Sequence, residues 1–561
     1  MIKSISIENF KAFGAEQRLP IKPLTFVYGA NSSGKSSVIH SLLFARQALE
    51  TKNLDVHYTT VGGDSVDLGG FRQYVHQRQL TNNVTFTAEL DCGQFTGRLK
   101  EIFEKAGTLE MKITIGVALD SEGKPQGGVE PRIRSYELLG DGDPLLRMSP
   151  RADKTFRLDR FETGHPIFAH IVEALFLSTV TTEELTDKDK TTIEDAVNDF
   201  INNTKFSSKF LLPSSVIGGA TLGSMIGGIL GAGVGAALAY GLKGVSKQSR
   251  QDDLKKAAST FLPSLLTEIL QLVEETIIDA LGDLFYLGPL RSFPPRHLVF
   301  AKENDANWFA GGGYAWDEVR KDADLREKVN NWLSAPDRLQ TRYQLRVRNL
   351  LTIDDLRSDF YARMTELQND LGDFDDTNFP PFEKDLFGEE IPNLLEGLQD
   401  VEAQLSDIQE LNLVDMRSDT VVSHRDVGIG VSQVLPVLVS AYASKEKIIA
   451  IEQPEIHLHP ALQADLSDVF IESALGENKN RFIIESHSEH LLLRVMKRMR
   501  QTFNGDLPKG VHPVTPEDVM ILFVEPDGSR SVIREMPLDK RGELVNPWPG
   551  GFFEEGFEEM F

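Results

Sequence analysis

Gly29-Ala30-Asn31-Ser32-Ser33-Gly34-Lys35-Ser36 is the stretch that decides the fold class of this chain. It fits G-x-x-x-x-G-K-[ST], the pattern of a phosphate-binding loop, or P-loop. Gly29 and Gly34 allow the backbone to curl so that the N–H groups between them, from Asn31, Ser32 and Ser33, point inward at phosphate oxygens. Lys35 is placed to reach the β- and γ-phosphates and the Ser36 hydroxyl to ligate Mg2+, with Ser37 following in the same turn. The flanks agree. Leu24-Thr25-Phe26-Val27-Tyr28 is a short apolar run that reads as a buried strand. Ser36 to Thr51 reads as a helix whose N-terminus faces the phosphates. This strand–loop–helix unit predicts an α/β fold that takes ATP and Mg2+.

The chain has 561 residues, enough for two or more domains. Its formal charge of -25 argues against coating of nucleic acid by the whole surface and leaves a local basic patch open. The single cysteine, Cys92, excludes disulfides within the chain and cysteine-based zinc sites, and it suits a reducing cytoplasm. Met1 to Ile7 alternates like a strand and has no signal-peptide character, so a cytoplasmic location is expected.

Outward from the loop, residues 1–165 read as strand-rich. Val84 to Leu90, Leu109 to Leu119 and Arg132 to Leu139 alternate and are separated by Asp-Gly and Glu-Gly pairs, as in an antiparallel meander. Residues 166–284 turn helical in spacing, through Ile167 to Leu177, Thr191 to Asn202 and Leu254 to Leu281. Residues 285–351 return to mixed structure. Residues 352–412 are acidic and read as a second helical insertion with a solvated face. Residues 413–535 alternate strand and helix, as a parallel sheet with covering helices does, and 536–561 form a tail.

Phe210 to Leu242 carries no charged residue, and Gly219, Gly223, Gly227, Gly231 and Gly235 recur at every fourth position within it. On a helix these glycines share one face and admit a second backbone at close range. Three readings stay open: a membrane-inserting helix or hairpin, a tightly packed hairpin in water, and a Gly/Ala loop. Each glycine disfavours a helix in water by about 1 kcal/mol. The charge-free run also exceeds the roughly 20 residues that a membrane span requires.

The second half of a nucleotide site lies far along the chain. Lys447-Ile448-Ile449-Ala450-Ile451-Glu452 is an apolar strand ending in a carboxylate, the Walker B pattern, which makes Glu452 the candidate to hold Mg2+ or its water. Gln453 follows it. A carboxamide cannot take a proton from water but can orient it, so slow or partner-stimulated hydrolysis is expected. The alternative is that Glu455 supplies the carboxylate. His457-Leu458-His459 admits a metal, although a structural role is commoner for such a pair on a turn. Phe482-Ile483-Ile484-Glu485-Ser486-His487 is another apolar strand with a polar end. His487 is either a γ-phosphate contact or a hydrogen-bonded histidine at the core edge. Upstream, Asp426-Val427-Gly428-Ile429-Gly430-Val431-Ser432-Gln433 is a Gly/Ser-rich turn opening the apolar run Val434 to Ala443, a second phosphate-binding element. No glutamine stands out as a further contact; Gln73 is a candidate.

An early P-loop, followed late by a glycine-rich turn, a Walker B strand and a histidine-ended strand, resembles the ABC-type ATPase heads. These include the SMC heads and the overcoming-lysogenization-defect (OLD) ATPases. The chain is most similar to bacterial ATPases of this group with a C-terminal domain of unknown function. The stretches that carry the likeness include Glu8-Asn9-Phe10-Lys11-Ala12-Phe13, Tyr286-Leu287-Gly288-Pro289-Leu290-Arg291, Val329-Asn330-Asn331-Trp332-Leu333 and Trp548-Pro549-Gly550-Gly551-Phe552-Phe553. The resemblance implies an ABC-type P-loop ATPase head, with a mixed sheet and an antiparallel β subdomain, carrying two helical insertions. It implies that two heads sandwich ATP, so that Gly430, Ser432 and Gln433 of one copy complete the site built by Gly34, Lys35 and Ser36 of the other in a homodimer. The usual Leu-Ser-Gly-Gly-Gln signature reads Ile429-Gly430-Val431-Ser432-Gln433 here.

By the same resemblance, the expected function is an ATP-driven sensor or regulator of a separate effector such as a nuclease or toxin, in bacterial defence against phage. Two rivals remain: a membrane effector acting through 210–242, and a DNA repair or maintenance ATPase. For the last, Arg494, Lys497, Arg498 and Arg500 are either a nucleic-acid contact or an exposed helix face. Phe523 to Gly528 reads as a strand entering an Asp-Gly hairpin with Ser531 to Met536, and not as the start of a nuclease.

Overall fold

The structure is a computed structural model that describes residues 2–104, 106–125, 130–175, 186–209, 211–217, 247–291, 307–335, 338, 340–350, 408–422 and 429–553. The chain opens with β1 (Ile2–Glu8), β2 (Gln17–Pro20) and β3 (Leu24–Gly29), and β3 runs through the P-loop into the helix Lys35–Thr51. Then come β4 (Val84–Asp91), β5 (Thr108–Gly116), β6 (Arg132–Gly140), β7 (Asp143–Pro150) and β8 (Phe156–Phe161). After two helices follow β9 (Lys205–Lys209), β10 (Leu212–Ile217) and the long helix Lys247–Gly282. The second half contains β11 (Leu284–Leu287), β12 (Tyr343–Leu350), β13 (Ile408–Asp415), β14 (Thr420–Val422), β15 (Ile448–Glu452), β16 (Arg481–Glu485), β17 (Val519–Asp527) and β18 (Arg530–Glu535).

These strands form three sheets. The nucleotide motifs lie on a six-stranded sheet of order β11-β15-β16-β3-β17-β18, parallel except for its last strand. A nine-stranded antiparallel sheet runs β10-β9-β8-β7-β6-β5-β4-β1-β2, and β12-β13-β14 make a small third sheet. This is the mixed α/β architecture that the P-loop and the alternating strands predict.

The six-stranded sheet is apolar on both faces, as parallel strands covered on both sides must be. Val27, Ile448, Ala450, Ile483, Leu522 and Val524 face one core, which the P-loop helix and Lys247–Gly282 cover. Leu24, Phe26, Tyr28, Ile449, Ile451, Phe482, Ile484, Ile521 and Phe523 alternate with them and face the other core. Helices Gly313–Lys321, Ala323–Ser334, Ile429–Ala443, Pro460–Leu475 and Glu489–Asn504 supply that second layer. Long-helix residues Leu262, Leu265, Leu266, Ile269, Leu270, Val273 and Ile277 recur at helical spacing and are all buried. The C-terminal segment closes the second face. Trp548 and Phe553 pack edge-on against Tyr28, at centroid distances of 5.7 and 5.6 Å, and Phe552 lies 5.2 Å from Phe523.

The structure differs from the sequence reading at three places. Residues 166–284, read as helical, also contribute β9 and β10, which extend the meander. Leu212–Ile217 lies at the start of the charge-free run and forms an edge strand, where Pro213 is tolerated because an edge leaves backbone donors unused. Residues 408–412, read as the end of an acidic helical stretch, belong to β13, where pairing along β12 overrides the local pattern. The glycine ladder 219–235, the rest of the acidic insertion and Asp426 to Gly428 lie outside the described residues. Among the described residues, no helix is long and apolar enough to cross a membrane. The β17–β18 hairpin forms as read, with Asp527 opposite Arg530.

Phe482 joins the sheet to the covering helices, with its ring 5.0 Å from that of Phe470 and no solvent exposure. Phe482→Ala is expected to cost about 3–5 kcal/mol, seen as a lower midpoint in thermal unfolding; an unchanged midpoint would contradict this account of the core.

Candidate functional site

The C-terminal ends of β11, β15, β16, β3 and β17 meet at one edge of the parallel sheet, where open α/β sheets bind ligands. At this edge the P-loop is shaped as its glycines require. Gly29 has φ +145°, and a Cβ there would lie 2.2 Å from the Val524 carbonyl oxygen. Gly34 has φ +97°, and its Cβ would lie 2.5 Å from that of Ala12. Asn31 and Ser32 are exposed, and Ser32 also takes a left-handed φ of 60°. The buried Ser33 Oγ has no hydrogen-bond partner. No side chain caps the helix Lys35–Thr51 at Gly34, which leaves its first N–H groups facing the loop. The Lys35 ammonium donates to the Ala30 carbonyl at 2.9 Å, across that same space. Ser36 is half-buried at the mouth, whereas Ser37 is turned into the core.

Opposite the loop stand three buried carboxylates. Glu452 ends β15 and is paired in register with Glu485, which ends β16; Glu455 follows two residues after Gln453. Burial and then the neighbouring Glu452 charge push the Glu485 carboxyl up to about 7, against the Ser36 hydroxyl that hydrogen-bonds it and the Lys35 charge. Burial also raises Glu455, whose Oε1 accepts the His487 N–H at 2.7 Å. Burial lowers Lys35, and Glu485, Glu455 and Glu452 oppose that shift. Glu455 Oε2 and Glu485 Oε2 have no partner. Lys35 therefore faces more negative charge than it can neutralise.

That excess bears on the metal. The groups gathered here are hydroxyl and carboxylate oxygens, the donors a hard divalent cation takes. Among the described residues, no group of three or more His, Cys, Asp or Glu side chains forms a self-contained metal site. Mg2+ binds proteins through one or two carboxylates and completes its shell with phosphates and water. Ser36 and Glu452 are the residues that would hold it. His459 is not a ligand candidate, because its Nδ1 caps the helix Pro460–Leu475 by accepting from the Ala461 N–H.

Glu452 is held from two sides. The Tyr286 hydroxyl donates to Glu452 Oε1 at 3.0 Å, and His40 Nε2 lies 3.5 Å from the same oxygen. Burial keeps His40 below its ordinary value, so the neutral ring donates from Nε2 and accepts the Lys11 ammonium at Nδ1, 2.7 Å away. Burial lowers Lys11 in turn to about 8, with Glu452 and Asp67 opposing. Gln453 sits beside Glu452 at a left-handed φ of 46°, its N–H donating to the Glu485 carbonyl at 2.7 Å. His487 is half-buried, and burial followed by the Lys35 charge lowers its pKa.

The signature turn packs largely against its own chain. Ser432 and Gln433 are 2% and 4% exposed, so both side chains face into their own chain. Gln433 Nε2 donates to the Arg291 carbonyl at 3.2 Å. Gly430 remains half-exposed, packed where a Cβ would lie 3.0 Å from the His457 carbonyl oxygen. Gln73 is exposed on the short helix Phe71–Tyr74. The basic cluster is partly an internal brace: Arg494 pairs with Asp468 at 2.5 Å and Asp465 at 2.8 Å, and Arg498 pairs with Asp468 at 2.8 Å.

Sequence reading thus found Lys35, Ser36, Glu452, Gln453 and His487, which the fold brings to one edge. It missed Lys11, His40, Tyr286, Arg291 and Glu485. Glu485 carries the signal that identified Glu452, an apolar strand ending in a carboxylate. His40 lies one helical turn beyond Ser36.

The chain matches the AAA ATPase domain family over residues 1–122 and 316–492. Residues 514–561 match a family described as a protein of unknown function. No curated protein is similar to the chain. Among solved structures, an SMC head bound to the C-terminal winged-helix domain of ScpA is 10% identical, with 96% of this chain and 99% of that one covered at a TM-score of 0.35. A Smc head with an extended coiled coil, bound to the C-terminal domain of ScpA derived from Pyrococcus furiosus, is 10% identical, with 100% and 98% covered at a TM-score of 0.32. The SMC head domain from Thermotoga maritima is 8% identical, with 96% and 99% covered at a TM-score of 0.32.

The raised Glu485 carboxyl has a sign that can be checked. Its folded pKa lies above the usual 4.5, so the folded chain holds the proton more tightly than the unfolded one. The stability this contributes is present below about 4.5 and is lost as pH rises through about 7. In Mg2+-free buffer, Glu485→Gln should therefore raise the melting temperature at pH 8 and leave it nearly unchanged at pH 5. Equal shifts at both pH values would contradict the assignment.

Proposed function

On the premise that the chain belongs to the AAA ATPase domain family, we propose that it is an ATP-dependent switch that regulates a partner protein. The observation that carries this reading is the meeting of Lys35 and Ser36 with Glu452, Gln453 and Glu485 at one sheet edge. The loop N–H groups and Lys35 bind the phosphates of ATP. Mg2+ bound with the nucleotide would neutralise charge on the phosphate oxygens and on the carboxylates opposite. Gln453 orients the attacking water without removing its proton, and His487, neutral at physiological pH, donates or accepts one hydrogen bond near the γ-phosphate. A site with a carboxamide where a base would speed hydrolysis dwells in the ATP-bound state, which suits a switch.

The switch acts as a homodimer. One chain carries one P-loop and one signature turn, and the half-exposed Gly430 backbone is the part of that turn available to a second copy. Ser432 and Gln433 brace the turn from within. The sequence resemblance supports an effector encoded separately and a setting in defence against phage.

Lys35→Ala should abolish binding of a fluorescent ATP analogue, and unchanged affinity would overturn the site. Gln453→Glu should raise the hydrolysis rate about tenfold or more by supplying a base; a rate at or below that of the unmodified chain removes the water-orienting role. The regulatory reading is tested by isolating the native complex with ATP and Mg2+. A dimer holding a second protein, whose activity changes when ATP is added and does not change in Lys35→Ala, supports it. A monomer that hydrolyses ATP alone overturns it.

A further inference from the structure

Arg291 is almost completely buried, at 5% exposure, in a position no nucleotide-binding role explains. It follows β11 by way of Gly288-Pro289-Leu290. One terminal nitrogen of its guanidinium, Nη2, donates to the carbonyl of Glu452 at 2.9 Å and to that of Gln453 at 3.3 Å. The other, Nη1, donates to the carbonyl of Gln433 at 3.5 Å, and the Gln433 side chain returns a bond to the Arg291 carbonyl. Five residues earlier, Tyr286 donates to the Glu452 carboxylate. One short segment therefore grips the Walker B end by its backbone and its side chain, and grips the first turn of the helix Ile429–Ala443 as well.

We propose that Arg291 is a positioning residue that couples the signature helix to the Glu452–Gln453 peptide, with Tyr286 fixing the Glu452 carboxylate. The proposal rests on the ATPase reading above and adds a route by which a second copy, docking at Gly430, is felt at the hydrolytic edge.

Three features of the site support it. First, the partners are carbonyl oxygens, so the guanidinium fixes the peptide planes from which Glu452 and Gln453 project. Gln453 needs such support, since a left-handed φ costs a non-glycine residue roughly 1–2 kcal/mol. Second, a buried guanidinium is a poor way to fill space. Desolvation costs several kcal/mol per ion, which the bonds it makes must offset. Burial lowers Arg291 to about 10, against the nearby Glu455 charge. Third, the contacts reach from the covering layer to the reactive end of the sheet. Gln433 lies near the start of a helix of the covering layer, whereas Glu452 ends a strand of the sheet. A shift of the helix start pulls on Arg291 and re-aims the peptide that carries Gln453.

The test uses the full chain with Arg291→Met, Arg291→Lys and Tyr286→Phe. Four quantities are measured: ATP-analogue affinity without Mg2+, kcat and KM for ATP, the Mg2+ concentration for half-maximal rate, and melting temperature. Arg291→Met should bind the analogue and melt like the unmodified chain, keep its KM, and lose kcat by about tenfold or more, in line with the cost of a misplaced catalytic group. Arg291→Lys, which keeps the charge, should recover part of that loss. Tyr286→Phe should raise the Mg2+ requirement with little change in melting. A kcat unchanged in Arg291→Met overturns the proposal, as does a parallel loss of melting temperature and analogue binding with no recovery in Arg291→Lys. Should Arg291→Met fail to fold, an unchanged kcat in Arg291→Lys together with an unchanged Mg2+ requirement in Tyr286→Phe overturns it. An unmodified chain that neither binds nor hydrolyses ATP refutes the ATPase reading itself and this proposal with it. Normal turnover in the unmodified chain and in every variant refutes only the coupling.

Discussion

Three buried carboxylates facing one lysine are the interaction on which this molecule turns. Glu452, Glu455 and Glu485 leave water for the same edge of a parallel sheet, where Lys35 faces all three and the buried Arg291 lies behind Glu455 and Glu452. Burying like charges together is unfavourable by several kcal/mol unless something neutralises them. The surrounding framework reads as a set of answers to that problem. Ser36 hydrogen-bonds Glu485, the His487 backbone satisfies Glu455, and Tyr286 and His40 converge on Glu452. What these neutral donors leave uncompensated is the charge that a nucleotide-bound divalent cation would supply.

The two-faced core makes this arrangement rigid. Each strand of the parallel sheet sends alternate side chains into separate layers, so no strand can slip by one residue without exchanging its two apolar sets. Register then fixes chemistry: Glu452 lies opposite Glu485 because Ile448 to Ile451 lie opposite Arg481 to Ile484. The aromatic closure by Trp548 and Phe553 on Tyr28 holds the residue just before Gly29, and the Tyr28 hydroxyl reaches the Ser488 carbonyl beside His487. Packing on the face away from the P-loop helix thus helps to fix both the loop and the histidine.

How much of this was legible follows from the range of each interaction. The P-loop and Walker B strand are local patterns, and their spacing alone located Lys35, Ser36 and Glu452. Glu485 shares the local pattern of Glu452 but gains its role only from the placement of β16 between β15 and β3, which no local signal carries. Arg291 stands in a stretch that carries the family likeness, but its role was not legible for a different reason: its partners are backbone carbonyls, which leave no trace in residue type. Arg494 and Arg498 read as a surface patch until helix packing brought Asp465 and Asp468 against them. Ser432 and Gln433 matched a motif by position, while burial gives their side chains to their own chain.

The place of β3 in its sheet has a consequence for how the molecule comes into being. Leu24 pairs with Phe482 on one side and with Val519 on the other. The strand that carries the phosphate loop is made long before both of its neighbours. Until then its two apolar faces and its open edges have no partners, and long-range parallel pairing forms slowly. A chain emerging from the ribosome must keep that segment from pairing with other chains until β16 and β17 follow. A chain cut short before β16 would hold the P-loop sequence and no pocket, so nucleotide capture marks a chain that has assembled its parallel sheet.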